Sequence, residues 1–371
     1  MKVITVRSRK GIYAVCIGTG LLPKAGALIR QFCGTPPKTA GKILIVTQKR
    51  IPARYRTTLQ RSLRAAGFQC FFHFVPDGEP AKSQKELFRL YQALLKHDFE
   101  RRDTLLALGG GVAGDLTAFG ASTYMRGLRF INVGTTLLAQ VDSAIGGKTG
   151  INLAEGKNLV GTFYPPALVI ADIDTLRTLP EREYRASLAE VVKYGVIRDA
   201  GLFRLLENNA GKILKRDRRL LTEIVFRCAR IKGLVVSRDE QETLGERMIL
   251  NYGHTFGHAL EQVTRYRRWL HGEAVALGMV AAARLAVHLG YWRASEAQRQ
   301  ERLLKQLRLP VSAARERLSM PAVLKAMSRD KKKSAGTLRF VLPVRMGKVR
   351  VVKGLNAAAV RKTLKEIGVQ P

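Results

Sequence analysis

The chain has 371 residues, 46% of them hydrophobic and 25% charged, which is typical of a globular protein that buries a large core. This composition excludes a disordered chain, a collagen-like repeat and a small disulfide-stabilised protein. The 64 Lys and Arg residues outnumber the 29 Asp and Glu residues and give a formal charge of +35. Because the basic residues are scattered with few interleaved aromatics, we interpret the charge as a solvated surface that attracts anionic ligands. A nucleic-acid partner is the alternative.

The sequence contains no stretch close to the roughly 20 apolar residues of a membrane span, and its start lacks the pattern of a signal peptide. Its four cysteines lie far apart and form no CxxC pair: Cys16, Cys33, Cys70 and Cys228. We therefore expect a soluble cytoplasmic protein with free thiols and no membrane partner.

The first half of the chain alternates apolar runs with amphipathic stretches. The apolar runs predict strands at 43–46, 104–108, 130–133 and 168–171, and the amphipathic stretches predict helices at 51–66 and 84–97. Nearly continuous apolar runs are typical of parallel strands covered on both faces. The alternation predicts an α/β domain with a mostly parallel, Rossmann-like sheet.

From about residue 175 onward, helical patterns dominate. Thr178-Leu179-Pro180-Glu181 predicts a capping box that opens a helix extending through Tyr194. Only residues 338–343 resemble a strand in this half. We expect two domains, an α/β domain over 1–172 and a mainly α-helical domain over 173–371.

A glycine-rich turn, Gly109–Asp115, follows the predicted strand at 104–108 and precedes an apolar stretch. Glycines there let the backbone approach a pyrophosphate at a helix N-terminus. The spacing satisfies GxGxxG, but no acidic residue follows about 20 positions later, as the dinucleotide fingerprint requires. A tight strand-to-helix turn without a ligand is the alternative.

A second glycine-rich segment, Gly146–Thr149, resembles the end of a P-loop, but Asp142 occupies the position of the first P-loop glycine and excludes that motif. The segment presents Lys148, and Lys157 and Asn158 follow closely. These side chains favour a phosphate or carboxylate ligand, and a loop of solvated lysines is the alternative.

Histidines cluster in the second half of the chain. His254 and His258 are four residues apart on a predicted helix, and His271 begins the next helix with Glu273 close behind. Three histidines and a carboxylate are typical of catalytic zinc, which takes three protein ligands and leaves one position open. One histidine then remains for proton transfer. HExxH is absent, which argues against a metalloprotease.

Glu190 and Lys193 are three residues apart on the helix predicted to end at Tyr194. This spacing puts both side chains on one face of the helix. The two residues could form a surface ion pair, or they could belong to the histidine site, and the spacing fits either interpretation.

Together these segments resemble the 3-dehydroquinate synthase family along nearly the whole chain. The matching segments are 109–115, 123–127, 135–143, 146–149, 156–158, 189–195, 250–258, 271–273 and 330–332. The resemblance implies an NAD-binding α/β domain over 1–172 and a helical metal- and substrate-binding domain over 173–371. It also implies a homodimer.

The resemblance also implies site residues. One divalent ion per chain, Zn²⁺ or Co²⁺, would be bound by Glu190, His254 and His271. NAD would contact Asp77, Gly78, Glu79, Pro80, Ala81, Lys82, Gly111, Val112, Ala113, Gly114, Asp115, Thr135, Thr136, Lys148, Lys157, Thr175, Leu176, Arg177 and Thr178. Substrate groups would contact Arg126, Asp142, Lys148, Asn158, Lys193, Lys232, Arg247, Asn251, His258 and one of Lys331 and Lys332.

The implied reaction converts 3-deoxy-D-arabino-heptulosonate 7-phosphate into 3-dehydroquinate and phosphate, a step of the shikimate pathway to the aromatic amino acids. NAD would oxidise a secondary alcohol, phosphate would leave, the ketone would be reduced again, and an aldol step would close the ring. His258 would relay the alcohol proton, and Lys193 would stabilise charge at that oxygen. A ring of cations suits the phosphate and the carboxylate of the substrate.

Two positions depart from the family pattern. The segment 239–247 is one residue longer than usual, which affects how Lys232 and Glu242 are placed relative to Arg247. Thr47-Gln48-Lys49 lacks the acidic residue that commonly follows the threonine, which affects a contact to the adenosine ribose.

Other functions share parts of this pattern. A 2-deoxy-scyllo-inosose or valiolone synthase would use the same fold, metal and NAD, but its substrate lacks the carboxylate that Lys232, Arg247 and residues 330–332 favour. A metal-dependent alcohol dehydrogenase of related fold would need no phosphate-binding residues such as Lys148, Asn158 and Lys193. A basic nucleic-acid-binding protein is the non-enzyme alternative.

Overall fold

The computed structural model describes residues 1–34, 41–333 and 338–371, and only the backbone of residues 329–333. The strands are β1 Lys2–Ser8, β2 Gly11–Gly18, β3 Lys42–Gln48, β4 Gln69–Val75, β5 Thr104–Gly109, β6 Arg129–Gly134, β7 Ile151–Leu153, β8 Gly156–Val160, β9 Leu168–Asp172, β10 Arg339–Arg345 and β11 Lys348–Lys353. The α-helices are α1 Ala25–Cys33, α2 Ala53–Ala65, α3 Gln84–Lys96, α4 Gly111–Thr123, α5 Glu181–Ile197, α6 Ala200–Leu214, α7 Arg218–Arg238, α8 His254–Val263, α9 His271–His288, α10 Ala294–Gln306, α11 Met320–Lys333 and α12 Ala357–Glu366.

The chain divides into two compact units, and each unit is built from two stretches of chain. The first unit comprises Met1–Leu179 and Arg218–Thr243, and the second comprises Pro180–Asp217 and Leu244–Pro371. The functional division at 172/173 stays a prediction. By its contacts, helix α7 groups with the first unit although it lies beyond that division in sequence.

A seven-stranded sheet forms the centre of the first unit, with the strand order β1-β2-β9-β6-β5-β3-β4. Only β1 and β2 pair antiparallel, and the remaining neighbours are parallel. The four strands expected from apolar runs are β3, β5, β6 and β9, and the two expected helices are α2 and α3. The prediction of a mostly parallel α/β sheet is confirmed.

The antiparallel hairpin β1–β2 was not predicted, although residues 12–17 of β2 form a continuous apolar run that could have revealed that strand. Ile4 and Val6 of β1 are buried, whereas their neighbours along the strand are partly or fully exposed. Helix α7 packs on this strand, and a Cβ added at Gly233 would lie 2.9 Å from Cγ2 of Val6. The close approach of α7 therefore completes the core beneath β1.

The second unit is mainly helical, as expected. The predicted strand at 338–343 is β10, and it pairs antiparallel with β11, which was missed. Gly347, at φ +84°, makes the turn between them, and Gly354 follows β11. A glycine turn between two β-branched runs is a hairpin signal that could have revealed β11.

The predicted capping box at the start of α5 is wrong. The helix begins at Glu181 after Pro180, and no side chain caps its first amides. The hydroxyl of Thr178 instead lies in hydrogen-bond distance of Tyr55 Oη, at 3.1 Å, and of the Thr175 carbonyl, at 3.3 Å. The proline sets the extended entry into the helix, and Thr178 belongs to the preceding 3-10 helix Ile173–Thr178.

The four cysteines are free thiols, as predicted. Burial raises the pKa of Cys16 and of Cys70 to about 11, so both stay protonated near neutral pH. Within the described ranges, no helix has the length and apolar character needed to span a bilayer.

Candidate active site

Three helices of the second unit bring a carboxylate and two imidazoles together. Glu190 lies on α5 and is fully buried, whereas His254 and His271 are the first residues of α8 and α9. Glu190 Oε1 lies 3.4 Å from His254 Nε2 and 3.6 Å from His271 Nε2. One ligand atom from each residue lies within 4.8 Å of the others. These three residues are the set that the family resemblance implied as metal ligands.

Small residues let these helices approach one another closely. A Cβ at Gly278 of α9 would lie 1.9 Å from the carbonyl oxygen of Gly253, the residue before α8. A Cβ at Gly272 would lie 1.9 Å from the carbonyl oxygen of Ala186 on α5. Backbone thus packs against backbone on both sides of α9, and this packing sets the spacing of the His254, His271 and Glu190 side chains.

The substitution Gly278→Ala is expected to lower stability and metal affinity together, because the added methyl group forces α8 away from α9. Overpacking of this kind costs about 1–3 kcal/mol or more. Urea unfolding and Co²⁺ titration measure the two effects. In the control Gly211→Ala, the added Cβ meets no atom within 4 Å, and we expect roughly unchanged or higher stability. Wild-type stability and Co²⁺ affinity in Gly278→Ala would contradict this packing argument.

The charges around the cluster favour a cation. Burial lowers the pKa of His254 well below its usual value, and Lys193 lowers it further against the opposing effect of Glu190. Burial alone would also lower the pKa of His271, but the nearby carboxylates of Glu190 and Glu261 outweigh it and raise that pKa to about 10. Two carboxylates thus stabilise positive charge at this point, and two imidazoles with a carboxylate form a donor set that suits zinc or cobalt.

Lys193 forms a buried ion pair with Glu190, as their spacing on α5 allows. Both side chains are buried, which excludes the surface ion pair that the spacing also allowed, and Glu190 lies against His254 and His271. The ring of His258 lies 5.3 Å from that of His254 and 6.0 Å from that of His271, centroid to centroid, and His258 is exposed. The third histidine of the cluster thus lies beside the donor set and reaches solvent.

One residue of this cluster, Glu261, was not predicted from the sequence. Glu261 of α8 is buried, and its Oε2 lies 3.3 Å from Nδ1 of His271. With His258 and His271 it forms a second group of potential metal ligands. The spacing of His254, His258 and Glu261 follows one helical face, at i, i+4 and i+7, and this periodicity could have identified Glu261.

The segments expected to bind NAD follow the carboxyl ends of parallel strands in the first unit. Residues 77–82 follow β4, residues 111–115 follow β5, Thr135 and Thr136 follow β6, and residues 175–178 follow β9. Ligands of open α/β sheets bind at this edge. The side chain of Leu176 is buried, so only its backbone could contact a cofactor.

The glycine turn after β5 leads directly into a helix, as predicted. Helix α4 begins at Gly111 without a side-chain cap, and its first turn holds no acidic residue. A Cβ at Gly111 would lie 3.0 Å from Ser143 Oγ, and one at Gly110 would lie 3.0 Å from Thr136 Cγ2. In the described part of the chain, the buried hydroxyls of Thr135 and Ser143 have no hydrogen-bond partner. The uncapped amides at the start of α4 and the two unsatisfied hydroxyls fit a pyrophosphate group.

Lys82, expected at the cofactor, is buried and binds within the fold. Its Nζ donates to Asp115 Oδ2 at 2.6 Å and to Asn158 Oδ1. Asn158 has a left-handed backbone with φ +56°, and its backbone N–H donates to Asn152 Oδ1 at 2.9 Å. Because Lys82 engages the side-chain oxygen of Asn158, the NH₂ group of Asn158 is the part that can donate to an anion.

Two further ion pairs join predicted substrate residues in the first unit. Lys232 of α7 pairs with Asp142, which lies in the π-helix Ala139–Ser143. Lys148 Nζ lies 2.6 Å from Oε1 of Glu242, a residue of the longer segment 239–247. The placement of Lys232 and Glu242 relative to Arg247 stays an expectation.

The remaining predicted residues occupy varied positions. Arg247 is buried on the 3-10 helix Glu246–Asn251, and Asn251 at its end is exposed. Arg126 is exposed after α4, with φ +65°. Among the expected NAD contacts, Asp77 lies 3.5 Å from Arg50 and Glu79 lies 3.6 Å from Lys157. Lys331 and Lys332 lie outside the described side chains.

Gln48, at the position where the family commonly has an acidic residue, is buried at the end of β3. Its side-chain amide donates to the Pro76 carbonyl at 3.0 Å. The amide therefore joins β3 to the loop after β4, a role that a carboxylate could not fill because it has no donor.

Comparison with known proteins identifies the family of the chain. Residues 72–186 match the family model for the N-terminal part of 3-dehydroquinate synthase, and residues 187–333 match the model for its C-terminal part. The chain is 47% identical to a 3-dehydroquinate synthase of Crocosphaera subtropica over 88% of this chain and 89% of that one. It is 43% identical to a 3-dehydroquinate synthase of Neisseria meningitidis over 98% and 99% of the two chains.

Solved structures share the fold. The 2-epi-5-epi-valiolone synthase of Streptomyces hygroscopicus, solved with NAD⁺ and Zn²⁺ bound, has a TM-score of 0.83 and 28% identity over 96% of both chains. A probable glycerol dehydrogenase of Sinorhizobium meliloti, at 14% identity over 95% and 96% of the two chains, has a TM-score of 0.65 and shows the fold alone. Since both halves of the family model match and the relatives cover nearly the whole chain at more than 40% identity, the chain belongs to the 3-dehydroquinate synthase family.

Proposed function

We propose that this chain converts 3-deoxy-D-arabino-heptulosonate 7-phosphate into 3-dehydroquinate and phosphate. The observation that carries the proposal is the buried cluster of Glu190, His254 and His271 beside Lys193, in a chain of this family. The family's reaction needs a polarised alcohol oxygen and nearby groups that hold and move its proton. The cluster offers both kinds of group.

We assign Glu190, His254 and His271 to a divalent metal ion and the glycine turn of α4 to NAD. Support comes from the donor set, the uncapped helix start and the related valiolone synthase, which binds NAD⁺ and Zn²⁺. When bound, NAD supplies reversible hydride transfer at a secondary alcohol and the metal supplies a Lewis acid.

Two residues beside the donor set, Lys193 and His258, provide charge stabilisation and proton transfer. The ammonium group of Lys193 stabilises negative charge as it develops on the alcohol oxygen, since it is held on the same helical face as Glu190. His258 is exposed beside the cluster and exchanges a proton with that alcohol and with water. Burial of Glu190 and Lys193 strengthens these electrostatic effects, because water does not screen them.

Cations and amides serve the substrate's phosphate and carboxylate. In the first unit we assign this role to Lys148, Asn158 and Lys232, with Asp142 orienting Lys232 through their ion pair. The carboxylate of Glu242 forms an ion pair with Lys148 in this structure, so an anion that binds Lys148 must compete with it. In the second unit we assign Arg247 and Asn251 to the same role. A substrate contact by Arg126 of the first unit, and one by either Lys331 or Lys332, stay expectations.

The substrate proposal predicts phosphate release from the heptulosonate phosphate, with much slower release from glucose 6-phosphate and sedoheptulose 7-phosphate, which lack the carboxylate. Because the reaction returns its hydride, NADH should not accumulate during turnover. A phosphate assay with absorbance at 340 nm measures both. Equal release from sedoheptulose 7-phosphate would favour a valiolone synthase, and stoichiometric NADH would favour an alcohol dehydrogenase.

The chain is further proposed to act as a cytoplasmic homodimer. The family resemblance supports the dimer, and the four free thiols suit a reducing compartment. Light scattering of the purified chain and cell fractionation test these two points, and a monomer or a secreted chain would contradict them. The excess positive charge attracts the anionic substrate. This role predicts that KM rises with salt concentration and that added DNA does not compete with the substrate, whereas a nucleic-acid-binding protein would show such competition.

A further inference from the structure

The two ring nitrogens of His271 face two different carboxylates. Nε2 lies 3.6 Å from Glu190 Oε1, and Nδ1 lies 3.3 Å from Glu261 Oε2. Glu190 is on α5 and Glu261 is on α8, so the ring at the start of α9 is held from both sides. His271 is consequently the one residue shared by the two groups of potential metal ligands in the described part of the chain.

The burial of the Glu261 carboxylate on α8 is unusual. Its side chain is only 8% exposed, although carboxylates are rarely buried unless they are paired. Its hydrogen bond to Nδ1 of His271 satisfies part of this requirement. The packing thus keeps a charged group out of water at a point where it contacts an imidazole.

An imidazole binds a metal through one nitrogen only when the proton resides on the other. A carboxylate that accepts the Nδ1–H bond fixes this tautomer, sets the orientation of the ring and raises the basicity of Nε2. Nε2 of His271 is the nitrogen that faces Glu190, and Nε2 of His254 faces the same carboxylate oxygen. The hydrogen bond from Nδ1 therefore directs His271 toward the donor set that includes His254.

We propose that Glu261 is a positioning residue for the metal site: its carboxylate accepts the Nδ1–H of His271 and holds Nε2 toward the ion bound by Glu190 and His254. This inference rests on the proposed metal site and adds a residue to it. It also separates the two groups of potential ligands, because Glu261 then acts through His271 and His258 stays outside the metal's ligands.

Two substitutions of Glu261 test the proposal with Co²⁺ as the probe. Glu261→Met removes the acceptor while keeping similar length and good helix propensity, and should weaken Co²⁺ binding by about 10–100-fold in competition with a chelator. Glu261→Gln keeps an uncharged acceptor and should give a smaller loss, which also serves if the Met variant fails to fold. Both variants should still bind about one ion per chain at saturation.

Two control variants show whether a loss of Co²⁺ affinity is specific to Glu261. Glu207→Gln removes a carboxylate of the second unit that pairs with Arg299 far along the chain, and should leave Co²⁺ affinity unchanged. His258→Ala should also retain Co²⁺. Wild-type affinity in both Glu261 variants would overturn the inference. The inference would also be overturned if Glu261→Met and His258→Ala, as separate variants, each lost all Co²⁺. Glu261 would then be a metal ligand itself, in the group with His258 and His271. A wild-type chain that binds no Co²⁺ would instead overturn the proposed metal site.

Discussion

Replacement of His271 by alanine is expected to remove the metal and nearly all turnover. The imidazole supplies one of three donors that lie within 4.8 Å of one another, and a site with two donors holds a divalent ion weakly. Metal content should fall from about one ion per chain to a small fraction. Lewis-acid stabilisation is worth several kcal/mol, so turnover should fall about a thousandfold or more.

The matched control for this prediction lies on the same helix. His288 ends α9, and its Nε2 lies 3.0 Å from Glu366, apart from the donor set. His288→Ala should retain metal and turnover. Elemental analysis and the phosphate assay measure both variants side by side. Full metal content and activity in His271→Ala would show that the assigned donors are wrong.

Lys193→Met is expected to lower turnover by about a hundredfold or more while leaving metal content near wild type. Methionine keeps much of the length and helix propensity of lysine but deletes the charge, and loss of one electrostatic stabiliser typically has this effect. His258→Ala should behave alike, since it removes a proton-transfer group outside the metal's ligands. Single-turnover kinetics and elemental analysis measure the two variants.

The buried pair with Glu190 makes a stability measurement necessary as well. Removing one partner of a buried ion pair costs about 3–5 kcal/mol when the other charge is left alone. In the metal-free protein, Lys193→Met should therefore lower Tm, whereas added metal should compensate the charge of Glu190 and restore most of the loss. Lys305→Met, which removes an exposed partner of Glu301, controls for charge loss on a helix. Wild-type turnover with a lowered Tm in both metal states would assign Lys193 a structural role only.

The parts of the fold that the sequence predicted are those whose pattern is local. The apolar runs of β3, β5, β6 and β9 are buried on both faces, and the glycine turn before α4 needs only its own residues to form. Strand β1 escaped prediction because it is buried on one face only, and its burial depends on α7 more than 200 residues later. Long-range packing of this kind leaves little trace in a short window of sequence.

The candidate site shows the same division. Histidines are few in this chain, so their grouping at 254–271 was visible in the sequence. Glu261 escaped notice because a glutamate on an amphipathic helix is ordinarily solvated. Only the close packing of α8 on α9, permitted by Gly278, brings its carboxylate to Nδ1 of His271. The engagement of Lys82 by Asp115 and Asn158 was hidden for the same reason, since these residues are far apart in sequence.

The interrupted order of the two units has a consequence for how the chain is made. The ribosome completes α5 and α6 of the second unit before it has synthesised α7, which covers β1 in the first unit. Until about residue 243 has emerged, Ile4 and Val6 lack their cover and the nascent sheet exposes an apolar face. Neither unit is therefore one continuous stretch of sequence. A cut at 172/173 would leave the first fragment without α7 and the second fragment with an α7 that has no β1 to cover. This chain must reach nearly two thirds of its length before its first unit can close.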